Sequence, residues 1–212
     1  MAKLNPKNKE KNNEQCSINL DDWTIHMATR ENRIDVTALL LENGVDINAR
    51  DEQGDTAAHI AAEANSSDVL NLLYENNAAI DVRNRFGWSP LHGACFSNST
   101  DALSFLFDKG LDIEARDKYD CRPLHVAAMT NSVDSANFLV DHGANIDAKD
   151  EDDKTPLDHA IEKKNVEVTG YLLSKSANSE YRDFSWIGLE CESSELPPIG
   201  FVSRSKRPSK PH

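Results

Sequence analysis

The sequence predicts an all-α solenoid of about five helix-turn-helix repeats carrying short hairpin-like fingers, and three observations predict it. First, His26, His59, His92 and His125 recur 33 residues apart inside the related strings WTIHMA, TAAHIA, SPLHGA and RPLHVA, and the next step reaches Asp158 in TPLDHA. Second, other columns keep the same period: Leu40, Leu73, Leu106, Leu139 and Leu172 form one, and Asp51, Asn84, Asp117 and Asp150 another. Third, the signals within a period are those of two short helices and a turn, a unit too small to bury its own apolar face, so that copies must stack.

Taken in chain order, each unit opens with a helix start. Thr56, Ser89 and Thr155 offer capping hydroxyls, and Pro90, Pro123 and Pro156 suit the first helical position, where no backbone N–H is needed. Trp23 stands at the capping position of the first unit and Arg122 at that of the fourth, where a weaker start is expected. About two helical turns later, Asn32, Asn65, Asn98 and Asn131 form a column of residues that tolerate the left-handed backbone ending a helix. A second helix follows with an apolar stripe, as in VLNLLYENN and ALSFLFDKG, and stops at the column Gly44, Asn77, Gly110, Gly143 and Ser176. Segments such as LDIEARDKYD then lead to the next unit through alternating apolar residues and turn formers, predicting a projecting finger.

The combined pattern D-x-x-G-x-T-P-L-H-x-A, a helix pair and a G-A-[DN]-[IV]-[DN]-A ending resembles the ankyrin repeat over residues 21–178, with units at 21–50, 51–83, 84–116, 117–149 and 150–178. The resemblance implies helix pairs stacked side by side into a curved array, fingers along one edge and first helices lining a concave face. It also implies that the repeated His is a structural bridge, hydrogen-bonded to the capping residue and to neighbouring backbone. Residues 1–20 read as a flexible polar leader, and 179–212 as a tail whose Tyr181, Phe184, Trp186 and Ile187 cover the last helix pair before a disordered end containing SRSKRPSK.

Composition narrows the function classes. The 212 residues hold 23 Lys+Arg against 36 Asp+Glu, a net charge of -13, which disfavours sequence-independent attraction to nucleic acid or anionic lipid. No signal-peptide-like apolar run opens the chain and no stretch of membrane-spanning length occurs, so a soluble protein is expected. Cys16, Cys95, Cys121 and Cys191 form no C-x-x-C pair, which fits reduced thiols in a cytoplasmic or nuclear protein.

Catalytic and metal readings fare poorly. Ions need ligands about 2 Å away, whereas adjacent helices pack roughly 8–10 Å apart, so successive members of the His column cannot share one. The acidic run from Asp150 to Asp153 lacks the glycine turn and the closing Glu of a calcium loop. Ser89 and Cys95 near His92 read as helix cap and filler rather than nucleophiles, and the nine scattered glycines build no phosphate loop. No cofactor and no enzymatic activity are expected.

What remains is a surface. In the resemblance, partner-facing positions lie six and four residues before the His and four after it. These are Gln53, Asp55 and Glu63 in the second unit, Phe86, Trp88 and Phe96 in the third, Tyr119, Cys121 and Met129 in the fourth, and Asp152 and Lys154 in the frame of the fifth, with Lys163 one place further on. Phe86, Trp88, Phe96, Tyr119 and Met129 should share one apolar patch, the kind of surface that marks a protein-binding site. Arg83, Arg85, Arg116 and Lys118 should give it a basic edge, suiting a partner protein that is acidic and apolar at its contact. The expected function is a monomeric, non-enzymatic protein-interaction module, an adaptor or an occluding inhibitor. The alternative is a substrate-recruiting or regulatory subunit of an enzyme complex that docks through its C-terminal tail.

Overall fold

A computed structural model describes residues 20–175. The leader, Ser176 and every reading made on the tail lie outside the described residues. After a 3-10 turn at Leu20–Asp22, helices follow in five pairs: α1 (Ile25–Arg30) with α2 (Ile34–Glu42), α3 (Ala57–Glu63) with α4 (Ser67–Glu75), α5 (Pro90–Phe96) with α6 (Thr100–Asp108), α7 (Pro123–Thr130) with α8 (Val133–Asp141), and α9 (Pro156–Lys163) with α10 (Val166–Lys175). The odd-numbered helices pack on one another in one row and the even-numbered in a second. The first row is lined with small buried residues, Ala28, Ala61, Ala94, Ala127 and Ala160, which let short helices approach closely. The second row contributes the leucine column, buried from Leu40 to Leu172, and together the two rows make one continuous core.

Helix boundaries follow the residue types. Asn32, Asn65, Asn98 and Asn131 are left-handed, with φ of 52, 54, 55 and 60°. Three of them also serve the next unit: the side-chain oxygens of Asn65, Asn98 and Asn131 accept from Ala102 N, Ser135 N and Val168 N at 3.0, 2.9 and 3.2 Å. Lys164 occupies the same place in the last unit at φ 60°, a conformation that costs an ordinary side chain about 1–2 kcal/mol and an asparagine less. Lys164→Asn should therefore raise the melting temperature by about 2 to 4 °C in a thermal melt. An unchanged melt would show that the strain is already relieved. The first unit differs from expectation at its start. Thr24, one residue after Trp23, is the cap, its hydroxyl accepting from Met27 N at 3.1 Å.

The histidine column joins units. His59 Nδ1 accepts from Thr56 N at 3.2 Å and its Nε2–H donates to Trp88 O at 3.0 Å; His92 likewise links Ser89 N (3.2 Å) to Cys121 O (3.3 Å). His125 accepts from Arg122 N at 3.1 Å and donates to Ala148 O and Lys154 O, so the helix start at Arg122 keeps its imidazole bond without a hydroxyl. The Arg122 guanidinium instead turns to Glu114, 2.8 Å away. In the last unit the Asp158 carboxylate replaces the ring, accepting from Thr155 N at 2.8 Å.

The fingers are turns rather than hairpins, since no strand occurs among the described residues. Each is organised by one side-chain oxygen. Asn84 Oδ1 accepts from Phe86 N and Trp88 N at 2.9 and 3.0 Å, and Asp51, Asp117 and Asp150 repeat this arrangement at their own fingers. A left-handed residue follows in each, Gly54, Gly87, Asp120 or Asp153. Neighbouring fingers are tied by a single backbone bond: Arg85 N to Gln53 O, Lys118 N to Phe86 O, and Glu151 N to Tyr119 O, at 3.0, 3.2 and 3.1 Å.

Candidate functional site

These ties hold the second and fourth residues after each Asn or Asp at fixed places, and the side chains there converge. Phe86 and Trp88, with Phe96 from α5, meet Tyr119 and Met129 of the next unit around a cavity of about 730 Å³. All five apolar residues singled out in the sequence thus line one space. Phe86, Phe96 and Tyr119 are 48%, 46% and 56% exposed, unusual for rings of this size. Met129 is half-buried against the core.

Trp88 departs from the expectation of a free contact residue. Its ring lies stacked on His92 with centroids 6.2 Å apart, leans on Phe96 at 5.6 Å, and donates through Nε1 to Asp117 Oδ2 at 3.1 Å. It is a wall of the cavity and a brace between fingers at once, so truncating it would disturb both. Cys121, at the equivalent place in the next unit, is buried.

The four basic residues line none of this cavity. Arg83 is a staple: its Nη1 donates to Gly87 O at 3.1 Å and to Arg116 O at 2.9 Å, just as Arg50 donates to Gly54 O and Arg83 O one finger earlier. Arg116 lies 3.4 Å from Asp120. Arg85 and Lys118 lay their stems over the glycines of the preceding fingers. The lining contains carboxylates instead: Asp55, Glu63, Asp117, Asp150, Glu151 and Asp152.

At one end of the cavity the donors Cys121 Sγ, Asp150 Oδ2 and His159 Nε2 come within 4.8 Å of one another. A thiol, a carboxylate and an imidazole are together the donor set of a borderline cation such as zinc. In the structure His159 Nε2 meets Asp150 Oδ2 at 2.6 Å and Cys121 points to the same oxygen at 3.8 Å. Burial and the carboxylates of Asp117 and Asp150 push the Cys121 thiol up to about 12, so that it stays protonated. Burial raises the Asp150 carboxyl, but bonds from His159 and from the backbone of Lys154 and Asp152 outweigh it and hold the group below the usual carboxylate range. The His column could not have revealed this cluster, because His159 stands one residue off it and Cys121 belongs to the preceding unit.

Ser89 Oγ and His92 Nδ1, 2.9 Å apart, have the spacing of a hydroxyl and its base. Both are buried, with Ser89 1% and His92 0% exposed, and the same nitrogen already accepts the Ser89 N–H. The pair builds the start of α5 rather than meeting a substrate.

The architecture defines a class before any comparison: a stack of helix pairs bridged by imidazoles, with turn-built fingers. A family model described as ankyrin repeats (3 copies) matches residues 25–117 and 115–183. The chain belongs to the ankyrin-repeat family. A search of the curated proteins returned no match. No described helix is long and apolar enough to cross a membrane.

Proposed function

We propose that this chain is a non-enzymatic interaction module that binds another protein through the finger face of its third and fourth units, as an adaptor or an occluding inhibitor. Ankyrin repeats are in general protein-binding modules, and the observation that carries the finer reading is the convergence of Phe86, Phe96 and Tyr119, all well exposed, on one cavity. Because finger backbone bonds already hold these rings, little ordering entropy is lost when a partner covers them.

The test is the double variant Phe86→Ala/Tyr119→Ala. Neither ring is buried, so its circular-dichroism melt should match that of the parent chain, while the affinity for a partner recovered by affinity purification falls at least about 10-fold. Recovery of the same partner at unchanged affinity would overturn the reading.

A further inference from the structure

We infer that the cavity recognises an arginine-bearing, apolar-flanked segment of the partner protein. This rests on the reading of the face as a protein-binding surface and names the chemistry it selects.

The argument is one of charge complementarity. The cavity lining includes no lysine or arginine. Its two histidines are committed inward, His59 to Trp88 O and His159 to Asp150. Among its carboxylates, Glu63, Glu151 and Asp152 are exposed and pair with no cation among the described residues. Of the cations on the fingers, Lys154 feels Asp152 and Asp150 but is paired with Glu162, Arg83 is turned onto backbone carbonyls and Arg116 lies toward Asp120. An acidic occupant would therefore meet like charge, whereas a cation would find both carboxylates and aromatic faces. A guanidinium fits that pairing better than an ammonium. It is planar and weakly hydrated, it stacks on rings, and it donates to carboxylates through a fork. The apolar surfaces of Phe96 and Met129 suit an apolar neighbour in the same segment.

The experiment is selection of a random displayed peptide library on the full chain, followed by affinity measurement of the enriched peptides. Enrichment of arginine beside apolar residues is expected. Glu63→Gln/Glu151→Gln/Asp152→Asn should weaken those peptides at least about 10-fold without moving the melt, and replacing their arginine by citrulline should do the same. Enrichment of acidic residues, of lysine alone or of no charge overturns the inference, as does failure to enrich any peptide. Peptides of the wrong charge that still lose binding on Phe86→Ala/Tyr119→Ala would leave the proposed face standing. Peptides indifferent to that variant would remove both.

Discussion

Acidification from neutral pH to about 4 is expected to remove roughly 3 kcal/mol of stability through His92 alone, with His59 and His125 adding losses in the same direction. Burial lowers the His92 imidazole from 6.5 to about 4, and the geometry explains why the ring resists a proton. Nδ1 already accepts a backbone N–H from the helix start, and Nε2–H already donates to a carbonyl of the next unit, so a second ring proton would face a donor. The unfolded chain takes up that proton near 6.5 while the folded one holds it off until about 4. The stabilisation is therefore complete above 6.5 and drains away as the pH falls through this window. Urea unfolding at a series of pH values should show the midpoint begin to decline below 6.5. A midpoint that stays level until carboxylates protonate would mean that these rings titrate like free histidine.

Gly87→Ala is expected to cost about 2–3 kcal/mol and to weaken partner binding at the same time. Gly87 sits at φ 85°, a region side chains rarely adopt, and a Cβ there would lie 2.7 Å from Lys118 N. That nitrogen donates the single backbone bond, to Phe86 O, that ties the third finger to the fourth. Strain and clash thus act on the same tie, and Phe86 and Trp88 flank it. Gly110 is a useful control: its φ is 84° but a Cβ would meet nothing within 4 Å, so Gly110→Ala carries the strain without the clash. Equilibrium denaturation of the two variants separates the contributions. Equal losses would show that the spacing between fingers yields freely.

Much of this architecture could be read from the chain because it is periodic. The asparagine column predicted left-handed helix ends and the Asp/Asn column predicted turns, since both effects are local to a few residues. The five apolar members of the cavity were legible for the same reason, a repeat frame fixing which positions face one way. What escaped prediction lies between units. The ring nitrogen of Trp88 finds Asp117 29 residues on, and a carbonyl that fixes a guanidinium, as Gly87 O does for Arg83, leaves no trace in residue type. Arg83, counted as free charge, was therefore a staple. Glu63 and Asp55 were visible as polar positions of the second unit, but only folding puts them in one lining with Glu151 of the fifth.

The fingers keep two jobs in separate registers. The residue that gathers the turn, the one with positive φ and, at Arg50 and Arg83, the arginine before them maintain spacing, while the second residue of each turn is the one the proposed function assigns to contact. On the function proposed above, Phe86, Tyr119 or Asp152 could be exchanged one at a time to alter what the cavity accepts, with the scaffold left intact beneath. Trp88 belongs to both registers, and it is the position where acquiring a new specificity would weaken the scaffold.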